Sequence, residues 1–136
     1  QAAKELNYDR INLSKMLSGS QNFRIKTLVK FAHFFDVPVF LLFNRLFEDE
    51  QYRKNFSFVD EDYMHVFRVN FKATSVKQSF IDLDSTTVSH IINGRRNNPT
   101  ISTLHQFAEY SNTSLSELFK TEIDKIIIKQ KEEDSI

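Results

Sequence analysis

The sequence has 136 residues, 40% apolar and 13% aromatic, with a formal net charge of zero, enough apolar mass to bury a core in one domain or two small ones, which excludes disorder throughout. Neutrality excludes capture of nucleic acid by bulk charge, so any such binding must come from a local basic patch. Two glycines, two prolines and no cysteine exclude a turn-rich sandwich or barrel, a disulfide framework and a thiolate metal site, and they favour an all-α fold.

In chain order, residues 1–43 carry Lys4, Arg10, Lys15, Arg24, Lys26 and Lys30 against Glu5, Asp9 and Asp36, a local basic excess. Asn7-Tyr8-Asp9 reads as a tight corner, because Asn and Asp tolerate a left-handed backbone. A helix follows with Leu13, Met16 and Leu17 on one stripe. After the loop SGSQNF, Ile25, Leu28, Phe31 and Ala32 mark a longer helix, and Pro38 suits the start of a short one through Val39, Leu42 and Phe43. Residues 44–62 reverse the charge with Glu48, Asp49, Glu50, Asp60, Glu61 and Asp62 against three cations. The connector at 44–58 is expected to prolong the preceding helix as a stiff spacer with Leu42, Phe43, Leu46 and Phe47 inward, since a flexible linker would be richer in Gly and Ser.

A further helix is predicted from Asp60 to Phe71, with Tyr63, Phe67, Asn70 and Phe71 on its core face. The run DSTTVSHIINGRRNNPT then opens at Asp84. Val88, Ile91 and Ile92 form one apolar stripe, while Ser85, Thr86, Ser89, His90 and Asn93 share the other face. Asp84 is an N-cap and Asn93-Gly94 a stop. Ser114 with Glu117 reads as a capping box for a short last helix. The tail TEIDKIIIKQKEEDSI places Ile123, Ile126 and Ile127 on one side of a helix expected to pack on the preceding unit or on a second chain, with disordered last residues.

The chain contains itself twice. NLSKMLSGSQNFRIKTLVKFAHFFDVPVFLLF, from Asn12, aligns with TVSHIINGRRNNPTISTLHQFAEYSNTSLSELF, from Thr87, with one extra residue after the glycine. Leu13, Met16 and Leu17 answer Val88, Ile91 and Ile92; Ile25, Leu28, Phe31 and Ala32 answer Ile101, Leu104, Phe107 and Ala108; Val39, Leu42 and Phe43 answer Leu115, Leu118 and Phe119. A repeat of this length is seldom accidental.

These residues resemble the lambda-repressor-like, or Cro/C1-type (XRE), helix-turn-helix family. Copy two matches through DSTTVSHIINGRRNNPTISTLHQFAEYSNTSLSELF, and copy one through AAKELNYDRINLSKMLSGSQNFRIKTLVKFAHFFDVPVFLLF. Phe23 stands where proline is usual, and Gln78 where a small residue is expected in helix two. Copy one matches from inside its second helix, so upstream residues or another chain are expected to cover Ala2, Ala3 and Leu6. The resemblance implies two tandem helix-turn-helix bundles: copy one at 1–43, the connector at 44–58, copy two at 59–119, and a C-terminal helix and tail at 120–136.

It also implies that the third helix of each copy enters a major groove while the next loop holds phosphates. Ser85, Thr86, Ser89 and His90 would read bases in copy two, with Asn93, Arg95, Arg96 and Asn97 on phosphates, helped by backbone N–H groups near Gly94. Arg10, Ile11, Ser14 and Lys15 are the equivalent readers in copy one, with Ser18, Gln21 and Asn22 in its loop. The expected function is a sequence-specific regulator binding double-stranded DNA, of the bacterial or phage repressor type. The alternative is a protein-interaction module, an antirepressor or antitoxin, whose groove-facing surface meets a protein partner.

No P-loop, nucleophile elbow, dinucleotide turn or metal-ligand spacing is present, and His33, His65 and His105 lack the companions a metal needs, so neither an enzyme nor a cofactor is expected. No stretch approaches the ~20 apolar residues of a membrane span and no secretory pattern is evident, which leads to the expectation of a soluble, cytoplasmic protein, nucleoid-associated when bound, with no membrane partner. A homodimer through the C-terminal helix or the exposed face of copy one is a further expected association.

Overall fold

Short polar side chains set the helix starts along much of the chain, and two left-handed residues set matching ends. The computed structural model describes residues 23–75 and 83–134. Helix α1 runs Ile25–Phe35 and is followed by the short α2, Val39–Leu42. A 3-10 turn at Arg45–Glu48 and one turn of helix, α3 (Glu50–Arg53), lead to α4, Tyr63–Lys72. Then come α5 (Ser85–Ile92), α6 (Ile101–Tyr110), α7 (Leu115–Leu118) and α8 (Glu122–Asp134). Among the described residues there is no strand, only one isolated bridge between Arg24 and Thr100.

Asp62, Asp84, Thr100 and Ser114 each accept a backbone N–H from the first turn of the helix they precede. Helices α1 and α6 end alike. Asp36 and Asn112, at equivalent places in the repeat, are both left-handed, with φ of 56° and 55°. The N–H of the next residue then returns to the helix in each case, Val37 to Ala32 O and Thr113 to Ala108 O, both at 3.0 Å. Asn and Asp bear this conformation better than other side chains do.

One apolar core joins both copies and the connector. Phe67 is fully buried, its ring 5.7 Å from Phe107 and 5.5 Å from Phe119. Phe40 meets Phe56 edge-on, and Phe35 meets Phe47 in the same way. Asn70, on the inner side of α4, donates to the carbonyls of Leu118 and Lys120 at 2.8 and 2.9 Å, satisfying the end of α7.

The copies meet through equivalent residues. Arg24 pairs with Thr100 in the antiparallel bridge; Ile25 N–H donates to Pro99 O at 3.0 Å and Ile101 N–H to Phe23 O at 2.7 Å. Helices α2 and α7 pack together, Ser116 Oγ donating to Phe40 O at 3.1 Å and the rings of Phe43 and Phe119 stacking at 5.7 Å.

Two expectations are corrected. The connector is not a continuous prolongation of α2: Asn44 and Asp49 turn their side chains back onto the following backbone N–H groups and start new, shorter elements. Phe47 is buried, whereas Leu46 faces outward. In α8, Ile127 packs on the core as expected, but Ile123 and Ile126 are 48% and 57% exposed, and the inner positions are Asp124, Ile127 and Ile128. The cause is the reciprocal cap in which Thr121 N–H donates to Asp124 Oδ2 and Asp124 N–H to Thr121 Oγ1, which turns Asp124 inward. Gln78 and the last two residues lie outside the described residues.

Burial raises the Asp124 carboxyl above the usual carboxylate range, with the two Thr121 hydrogen bonds acting against it. A raised folded value favours the protonated form, so this contribution to stability is full below about pH 4, the unfolded value, and is lost as pH rises through the raised one. Asp124→Asn should remove that decline, seen as a flatter stability difference across urea titrations from acid to neutral pH. Phe67→Ala should cost about 3–5 kcal/mol, whereas Ile126→Ala should stay within about 0.5 kcal/mol in the same assay.

Candidate nucleic-acid interface

Helix α5 is held from below by Val88, Ile91 and Ile92, all buried. Its start is fixed by Asp84, whose Oδ2 accepts from Thr87 N–H at 3.1 Å. Ser85 and Thr86 are therefore exposed on the first turn, and Ser89 and His90 are half-buried one turn on. Asn93 Nδ2 donates to Ser89 Oγ at 3.0 Å, so these two side chains, separately assigned above to phosphate and base, are partners of each other.

The helix stops at Gly94, whose φ of +85° is open to glycine at little steric cost. The N–H of Arg95 returns to His90 O at 2.9 Å and that of Gly94 to Ile91 O at 3.4 Å, the paired bonds of a Schellman end; Arg96 N–H joins at 3.0 Å to the same His90 carbonyl. The backbone N–H groups expected to hold phosphates at this turn are thus directed into the helix end. What the turn presents outward is the exposed side chains of Arg95 and Arg96.

Asn97, assigned to phosphate from sequence, is hydrogen-bonded within the loop. Its Nδ2 donates to Gly94 O at 2.9 Å and its Oδ1 accepts from Arg68 Nη2 at 2.6 Å, so it braces the loop across its own width. Arg68, from α4, completes the brace with Nε on Ile91 O at 2.6 Å and Nη2 on Arg96 O at 3.1 Å. Burial lowers its pKa from the usual value, with the Asp62 charge acting the other way. Residue-type patterning missed Arg68, although a lone cation amid Tyr63, Met64, Val66, Phe67 and Phe71 was the available signal.

The loop also supports copy one. Arg24, at the cap position of α1, gives no side-chain cap. Asn98 supplies it instead, its Oδ1 accepting from Lys26 N–H at 3.0 Å while its carbonyl accepts from Arg24 Nη1 at 2.7 Å. Arg24 and Lys26 are thereby set beside the loop that carries Arg95 and Arg96. Among the described residues, the ion pairs lie elsewhere, on α3, α6, α8 and the α7–α8 junction. No Asp or Glu occurs in residues 85–108, nor in the equivalent stretch 10–32.

Of the other sites assigned from sequence, Arg10, Ile11, Ser14, Lys15, Ser18, Gln21 and Asn22 lie outside the described residues. Among the described residues, no group of three His, Asp or Glu side chains is placed to hold a metal, and no helix is long and apolar enough to cross a membrane. Comparison with protein-family models, with curated proteins and with solved structures gives no match. The likeness to the helix-turn-helix family therefore stands on the residues alone.

Arg68→Ala takes the charged donor away from Ile91 O, Arg96 O and Asn97 Oδ1, while Ile91 O keeps the long bond from Gly94 N–H, and a cost of about 1–3 kcal/mol is expected. Asn98→Ala should cost about 0.5–2 kcal/mol through loss of a cap. Denaturant unfolding reads both, and amide exchange at residues 94–98 should quicken for Arg68→Ala ahead of any global change.

Proposed function

We propose that the protein is a sequence-specific regulator that binds double-stranded DNA, of the bacterial or phage repressor type. The observation that carries this reading is the gathering of Arg24, Lys26, Arg68, Arg95 and Arg96 around one loop, away from the ion pairs of the described residues. Clustered cations with no ion-pair partner among the described residues repel one another and gain most from an anionic polymer whose charges repeat at close intervals. Overall neutrality then confines the attraction to this face.

The exposed start of α5 adds what sequence choice requires. Ser85 and Thr86 carry hydroxyls that donate or accept at a base edge, and Thr86 also has a methyl that fits against thymine. His90 stands one turn on, with one donor and one acceptor nitrogen when neutral. The roles divide: Arg95 and Arg96 hold the backbone of the duplex, and the hydroxyl-bearing turn reads it. Arg68 and Asn97 keep the phosphate-holding loop at a fixed height over that turn.

Charge reversal tests the division. Arg95→Glu with Arg96→Glu should weaken binding to every duplex and reduce the slope of log affinity against log salt by about 2, since each neutralised phosphate contributes about 0.9. Ser85→Ala or Thr86→Ala should leave that slope alone and narrow the gap between preferred and random duplexes by about 1–3 kcal/mol per lost contact. Unchanged affinity after the double reversal would remove the DNA reading and leave a protein partner as the ligand of this face.

A further inference from the structure

The turn that ends α5 holds a step of the chain that can change its own chemistry. Asn93-Gly94 is the one Asn-Gly pair in the sequence, since the other glycine follows Ser18. A glycine has no Cβ to shield its backbone nitrogen, so that nitrogen can reach the side-chain carbonyl of a preceding asparagine. We propose that Asn93-Gly94 is a site of spontaneous deamidation, that the Arg68 brace is the gate on it, and that its product places a carboxylate in the cationic loop.

In the first step Gly94 N bonds to Asn93 Cγ, the Cγ–Nδ2 bond breaks, and the Gly94 N–H proton departs with that nitrogen as ammonia. Solvent water then opens the cyclic imide. Cleavage of its Cγ–N bond gives aspartate, whereas cleavage between the Asn93 carbonyl carbon and Gly94 N gives isoaspartate, with the main chain running through Cγ. Either product carries a negative charge where asparagine carried none.

The folded turn holds the reacting atoms apart. At Asn93 ψ is 2°, which sets Gly94 N beside the residue's own N and roughly a third of a turn from Cβ, whereas ring closure needs it turned towards Cγ. Hydrogen bonds oppose that rotation from both sides. Gly94 O accepts from Asn97 Nδ2 at 2.9 Å, and Asn93 Nδ2, the departing nitrogen, donates to Ser89 Oγ at 3.0 Å. Arg68 fastens the turn through Ile91 O, Arg96 O and Asn97 Oδ1, and its Cζ lies 3.9 Å from where a Cβ on Gly94 would stand. The bond on the nucleophile itself, Gly94 N–H to Ile91 O, is long at 3.4 Å. Conversion therefore proceeds through local opening of the turn, at the unprotected rate multiplied by the open fraction.

Residues 85–108 hold no Asp or Glu, so the product would introduce the first carboxylate of that stretch, two residues from Arg95. The isoaspartate form also adds a methylene to the main chain of the Schellman end. The effect on affinity rests on the DNA reading above; the chemistry does not.

The test holds the wild-type chain, Arg68→Ala and Asn97→Ala at mildly alkaline pH, folded and in urea, and follows them by peptide mass mapping with isoaspartate detection. In urea all three should convert at Asn93 ahead of the other asparagines and at one rate. Folded, the wild type should be slowest and Arg68→Ala about fivefold or more faster, the factor matching the low end of the cost of losing the brace. Asn97→Ala, a change at an exposed position that spares the core, should move in the same direction. Equal folded rates in all three, or a wild type as fast folded as in urea, would overturn the gate, and another asparagine converting first in urea would overturn the site. Asn93→Asp should weaken duplex binding and lower the slope of log affinity against log salt by about 0.9, one phosphate contact. Unchanged affinity would overturn the proposed consequence for the loop, whereas failure of both chains to bind any duplex would strike the DNA reading and leave the conversion standing.

Discussion

Two backbone hydrogen bonds, from Ile25 to Pro99 and from Ile101 to Phe23, decide how the halves of this molecule sit, and much else follows from them. Their own strength is small, about 1 kcal/mol net for each. The apolar groups enclosed behind them are worth far more, since each fully buried side chain of the size of Phe40 or Phe119 contributes about 1.5–3 kcal/mol. The two effects have different roles. Apolar burial is non-directional and would accept several registers of α2 against α7, whereas a bridge between Arg24 and Thr100 accepts one. Stability comes from the aromatic packing, and register from the bridge.

The same junction connects the fold to the charged face. Asn98 lies one residue before Pro99, so the strand-like pairing that joins the copies also delivers a cap to α1 and brings Arg24 to the loop of copy two. Arg68 anchors the other side of that loop with three hydrogen bonds to groups that carry no formal charge. A carboxylate there would have been a stronger partner, but it would have cancelled the charge. Carbonyl and amide oxygens position the guanidinium without neutralising it, and the Asp62 charge acts on it without a hydrogen bond to it.

Much of this was legible in the residues. Apolar positions three and four residues apart marked α1, α5 and α6, and the caps at Asp84 and Ser114 were visible because short polar side chains at a helix start have few other uses. The alignment of the repeat anticipated which residues would be equivalent, but a list of equivalents carries no information on whether the copies translate or rotate. The connector was misread because Leu42, Phe43, Leu46 and Phe47 keep helical spacing across Asn44, whose side chain bonds locally and ends the run. In α8, three isoleucines outweighed one aspartate, although it was the Thr121–Asp124 pair that fixed the helix face. Arg68 left only the trace of a lone cation on an apolar helix, and its partners were beyond reach because they depend on how α4 crosses the end of α5, whereas the inward N–H groups at Gly94 follow from the local Schellman end.

The sharing of one core between the copies bears on how the halves come apart. Where two bodies each enclose their own apolar groups, one can open while the other stays closed. Here the stacked rings of Phe43 and Phe119 belong to both, so loosening either half strips cover from the other, and the described residues melt as one body instead of in two stages.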